Sequence, residues 1–66
     1  MSVVKVIEIL SDSDKSWEDA TKKGVKKASE SIKGIKSVWV KDMSAVCKDG
    51  DVTAFRVNLK VSFEVK

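Results

Sequence analysis

Residues 52–65 read V-T-A-F-R-V-N-L-K-V-S-F-E-V. Phe55, Val57, Leu59, Val61, Phe63 and Val65 alternate with Arg56, Asn58, Lys60, Ser62 and Glu64. A period of two, held for about eleven residues, is the pattern of a strand with one apolar and one polar face. A helix would scatter the same apolar residues around its axis. The rest of the chain must therefore cover the apolar face and supply neighbours for both edges.

Immediately upstream, Lys48-Asp49-Gly50-Asp51 places Asp-Gly between two β-prone runs, which predicts a tight hairpin. Residues 35–47, I-K-S-V-W-V-K-D-M-S-A-V-C, are its other arm. At the far end, residues 2–10 are rich in β-branched residues and predict a first strand, with a loop over 11–16. Both parities of that strand are largely apolar: Val3, Ile7 and Ile9 on one, Val4, Val6 and Leu10 on the other. Such a strand is usually covered on both faces.

Between the first two strands, Trp17, Ala20, Thr21, Gly24, Val25, Ala28, Ser29 and Ile32 form one stripe of a helix. Ser16 with Asp19 gives a capping-box pattern at its start, and Gly34 is the expected stop after its last turn. The small residues on the stripe would let the helix lie close to a sheet. Lys22, Lys23, Lys26 and Lys27 lie off it and are expected in water.

The order is strand–helix–strand–strand. The expected fold is α+β, with a three-stranded antiparallel sheet, the third strand central, partly wrapping one helix. One helix covers one face, so the other needs a neighbour or a ligand.

The 66 residues bound a single domain, residues 1–66. A hydrophobic content of 42% excludes a disordered chain. A lone core of this size rarely supplies more than about 3–5 kcal/mol. Cys47 is the sole cysteine and there is no histidine. An intrachain disulfide and a Cys/His zinc site are therefore both excluded, and association with other copies is the expected staple. No apolar run approaches the ~20 residues of a membrane span. The N-terminal stretch does not read as a secretory leader, and with a free thiol it points to the cytoplasm. A net charge of +3 demands no polyanionic partner. The lysines carry no interleaved aromatics or nucleic-acid motif, so no nucleic acid is expected.

Four stretches run in the order of the dodecins, a family of small flavin-binding proteins that the chain resembles over essentially its whole length. They are V-V-K-V-I-E-I-L, S-D-S-D-K-S-W-E-D-A, I-K-S-V-W-V-K-D and D-G-D-V-T-A-F-R-V-N-L-K-V-S-F-E-V. The most specific pieces are S-W-E-D-A and the final stretch. The resemblance implies a β-α-β-β subunit, twelve of which form a hollow shell. Flavins (riboflavin, FMN or FAD) would bind at subunit contacts, stacked between indoles. The implied role is storage of flavin and quenching of its photochemistry, without turnover.

Two positions depart from the family pattern. The stacking tryptophan falls on Ser37, with Trp39 two residues later, and a shift of two keeps a strand side chain on one face. The glutamine that meets the flavin's pyrimidine-like edge falls on Arg56, which has donors only. Trp39, Arg56, Ser37, Val38 and Asn58 are the expected cofactor-binding residues.

For Arg56 the competing role is an ion pair with Glu8 or another acidic residue. For Trp39 it is burial at a subunit interface. Trp17 is expected to pack. Asp12, Asp14, Glu18 and Asp19 lack a calcium-loop pattern and read as loop and cap, so no metal is expected. Without histidine, Cys47 has no nucleophile's base, and no catalytic residue is expected. The alternatives to flavin storage are a shell without flavin, or one that binds a phosphate-bearing cofactor such as coenzyme A or FMN.

Overall fold

The computed structural model describes residues 3–65. Strand β1 spans Val3–Ser13, helix α1 Trp17–Ser29, strand β2 Ile35–Lys48 and strand β3 Asp51–Val65. The sheet order is β1-β3-β2, with β3 antiparallel to both neighbours. The alternating strand is thus the central one, as its pattern predicts.

Residues paired across a sheet share a face. Ile7, Ile9, Val38 and Val40 pair with Val61 or Leu59 and stand on the helix side. There they pack against a core of Ala20, Val57, Leu59 and Val61, all fully buried. Each large member contributes about 1.5–3 kcal/mol by leaving water. Phe55 and Phe63, expected on the same face, are only half-buried. A helix of 13 residues is about 20 Å long, whereas the molecule extends over 50 Å. The sheet therefore overhangs its helix, and Val3, Val52 and Val65 near the strand ends are exposed.

The helix begins as its sequence predicts. Ser16 is the N-cap, and its Oγ accepts from the Asp19 N–H at 2.9 Å. The Asp19 carboxylate does not return the bond to Ser16. It accepts instead from Ser13 Oγ at 2.6 Å and meets Lys23 Nζ at 3.0 Å.

The end of the helix corrects the sequence reading. The helix stops at Ser29, not at Ile32, because its last turn tightens. Glu30 N–H and Ser31 N–H bond to carbonyls three residues back, Lys27 and Ala28. Gly34, with φ +76°, turns the chain into β2 rather than capping the helix, and its carbonyl accepts from Glu64 N–H at 3.1 Å.

A second correction concerns residues 11–13, expected in a loop. They continue β1 opposite Val57, Arg56 and Phe55. Their polar side chains find partners there, so pairing with β3 overrides their turn preference. The hairpin forms as expected. Asp49 (φ 52°) and Gly50 (φ 85°) are both left-handed, the signature of the type I′ turn that suits strand twist.

Gly24 is where helix and sheet come closest. A Cβ there would lie 2.9 Å from Leu59 Cδ1 and 2.9 Å from Ser11 Cβ. Alanine would gain up to about 1 kcal/mol in helix propensity. The clash with a fully buried leucine and a strand Cβ would cost about 1–3 kcal/mol. Gly24→Ala is therefore expected to lower the melting temperature, despite the better helix former. A thermal melt that rises would contradict this contact.

Candidate functional site

The face of the sheet away from the helix is mixed and uncovered. From β1 it receives Val4, Val6, Glu8, Leu10 and Asp12, and from β3 Arg56, Asn58, Lys60, Ser62 and Glu64. Val4, Val6 and Leu10 are exposed there, Leu10 at 65%. These apolar side chains match the second apolar parity of β1, and none of the described residues covers them.

Ser37 and Trp39 reach this face from β2, opposite Ser62 and Lys60. Ser37 Oγ is hydrogen-bonded to Ser62 Oγ. Trp39 leaves 47% of its surface exposed, with Lys60 Nζ 5.7 Å from the centre of its ring. Glu8 lies between two ammonium groups, 3.6 Å from Lys41 Nζ and 3.9 Å from Lys60 Nζ.

Arg56 makes a two-pronged bond to Asp12. Nε donates to Oδ1 at 2.7 Å and Nη2 to Oδ2 at 3.0 Å. These hydrogen bonds hold the Asp12 carboxyl below its ordinary 3.8 and raise the Arg56 guanidinium. The ion pair weighed for Arg56 forms, with Asp12 rather than Glu8. Its fork is only partly spent: Nη1 and one Nη2 hydrogen are free of Asp12. Asn58 lies between Arg56 and Lys60, and its Oδ1 is buried without a partner.

Four of the five expected residues, Trp39, Arg56, Ser37 and Asn58, therefore share one face. The side chain of Val38 does not. It pairs with Val61 and packs against the core on the helix side, because successive strand residues point to opposite faces. Asp12, Glu8 and Lys60, which sequence reasoning left out of the site, complete the array. A signal was present in the charge pattern. Glu8 and Asp12 are four apart, as are Lys60 and Arg56, and the antiparallel register Glu8↔Lys60 brings Asp12↔Arg56 into line.

Elsewhere, Trp17 packs edge-on against Phe55 at 4.9 Å and donates Nε1–H to the Ser44 carbonyl at 2.9 Å. It thus ties the helix start to β2. Glu18 pairs with Lys22 at 3.1 Å. Among the described residues no group of three or more His, Cys, Asp or Glu could hold a metal ion. No helix among them is long and apolar enough to cross a membrane. A groove between β1 and α1 is lined by Ile9, Leu10, Gly24 and Ala28, with Lys23 and Lys27.

A half-exposed indole on an open sheet can offer one stacking surface, but it cannot enclose a ligand. Small-molecule sites bury most of their ligand's surface. A second wall must come from outside the chain.

The family model described as Dodecin matches residues 3–66. Calcium dodecin of Mycobacterium tuberculosis is 33% identical over 66 residues, covering all of this chain and 93% of the relative. The crystal structure of that protein, described as a calcium-chelating antigen with a novel calcium-binding site, superposes with a TM-score of 0.87 at 32% identity. It covers 98% of this chain and 93% of the other. The dodecins of Streptomyces coelicolor (TM-score 0.94, 23% identity, 98% and 93% covered) and Streptomyces davaonensis (0.93, 22%, 98% and 96%) share the fold.

The Asp12–Arg56 fork makes stability depend on pH with a definite sign. A carboxyl whose pKa is lowered by folding stabilises the fold above its unfolded value, and that gain is lost as pH falls through the folded value. The melting-temperature gap between the wild type and Asp12→Asn is expected to be full at about pH 6 and to close below 3.8. A gap that stays constant down to about pH 2 would show that the fork contributes nothing to it.

Proposed function

The chain belongs to the dodecin family, and from that premise we propose that it is a non-enzymatic flavin-binding and storage protein. Twelve copies form a hollow shell, with the flavin ring stacked on Trp39 where uncovered faces meet. The observation that carries this reading is the half-exposed Trp39 on a sheet face that its own chain leaves open. Val4, Val6 and Leu10 on that face supply apolar surface for a neighbouring copy. Free donors on Arg56 suit the ring's carbonyl oxygens, and Ser37 and Asn58 line the same face. The exposed free thiol of Cys47 fits a reducing cytoplasm.

A second reading is cation binding, favoured by one observation: the 33% identical relative is named calcium dodecin. One copy offers no cluster of three acidic residues among those described. Such a site would draw carboxylates from several copies or use backbone oxygens.

Riboflavin titrated with the protein is expected to lose fluorescence at micromolar concentrations. Offset stacking is worth about 0.5–1.5 kcal/mol beyond burial, so Trp39→Ala should weaken binding by about two- to tenfold. Light scattering should give the mass of twelve 7.3 kDa chains, about 88 kDa. Unquenched flavin would reject the flavin reading. Calcium-dependent stabilisation without flavin quenching would favour the cation reading, and a 7.3 kDa particle would reject the shell.

A further inference from the structure

We propose that the lysine-rich outer face of α1, continued by the turn that follows it, is a docking surface for the phosphate backbone of duplex DNA, bound without regard to sequence. The inference is independent of the flavin reading and concerns the helix side of the sheet.

The charge of the chain is unevenly placed. Residues 17–36 hold six lysines against three acids, Glu18, Asp19 and Glu30. The rest of the chain holds seven basic and seven acidic residues. The whole excess of +3 therefore belongs to α1 and the turn into β2. All six lysines are exposed. Three of them, Lys22, Lys23 and Lys27, pair with the three acids at 3.0–3.3 Å. Among the described residues no carboxylate pairs with Lys26, Lys33 or Lys36. Lysines in a last turn also complement the helix dipole. That accounts for Lys26 and Lys27, but Lys33 and Lys36 lie beyond the helix.

The kind of partner follows from the rest of the face. The stripe with Ala20 and Gly24 is buried against the sheet, and the outer side carries Lys22, Lys26, Ser29 and Glu30. A helix that settles on a bilayer sinks an apolar face into it; the apolar face of α1 is already spent on the sheet. Unpaired bases are held by stacking on aromatic rings, and this face offers none. A duplex backbone needs neither. Each ammonium meets a phosphate as a point charge, and affinity comes from the counterions released. Lys22 and Lys26 stand about 6 Å apart along the axis, so successive ammoniums can follow one strand. Phosphate contacts carry no sequence information. The isoelectric point of about 9.1 suits such a surface.

The test is fluorescence anisotropy of a short labelled DNA duplex of mixed sequence, titrated with the protein at about 50 and about 200 mM salt. Three free lysines at ~0.9 per phosphate give a slope of about −2.7 in log affinity against log salt, a loss of about fortyfold between the two conditions. A duplex of unrelated sequence should bind equally. Combined Lys26→Gln, Lys33→Gln and Lys36→Gln is expected to weaken binding by about tenfold or more at the lower salt, whereas arginine at the same three positions should retain it. Combined Lys5→Gln, Lys15→Gln and Lys48→Gln removes the same charge elsewhere and should leave affinity unchanged. If the first triple variant does not fold by circular dichroism, this distant one decides: unchanged affinity supports the face, and a tenfold loss overturns it. No binding of the duplex at the lower salt overturns the proposal, as does affinity that ignores salt. Vesicles of phosphatidylglycerol bound in place of the duplex would give the face to a membrane and overturn it too.

Discussion

The fold depends on one strand that must satisfy two different surroundings. β3 is hydrogen-bonded on both edges, so its two faces alone distinguish its neighbours. On one face Val57, Leu59 and Val61 are sealed by Ala20 and the close approach of Gly24. On the other, Arg56, Asn58 and Lys60 stand in line, with no described element above them. A one-residue slip in register would exchange the two sets. The fork between Arg56 and Asp12 and the alignment of Lys60 with Glu8 oppose such a slip, so the charges fix which face stays open.

Among the described residues the fully buried hydrophobic core is four, one of them an alanine. A core that small is marginal for an isolated domain. The overhanging sheet ends, the exposed valines of β1 and the uncovered outer face all leave apolar surface in search of cover. Under the flavin reading, stability and ligand binding therefore draw on the same surface. Whatever closes that face supplies both the missing burial and the second wall of a site.

Much of this was legible in the sequence because β3 alternates without interruption and Asp49-Gly50 admits one kind of turn. The strand order followed from those two features and the helix crossover. Two stretches were not legible. Ser11, Asp12 and Ser13 have turn-forming side chains, and their strand conformation depends on partners far along the chain: Arg56, the Ala20 carbonyl and Asp19. The early helix end likewise reflects the residues needed to reach the start of β2, which periodicity along the helix does not record. The side chain of Val38 stands on the face opposite Trp39 because successive strand residues alternate. The site's cations were visible as residues, but their grouping around one indole depended on register.

Arg56 is the sole arginine in the chain, and of the thirteen basic residues the other twelve are lysines. Its guanidinium is locked against Asp12, whereas lysine ammoniums carry the rest of the positive charge. An acyl group on nitrogen erases a lysine's charge and leaves a guanidinium untouched. Lysine acylation would therefore turn this +3 chain acidic and strip the cation from beside Trp39. The cross-strand clasp that holds the register would remain in place.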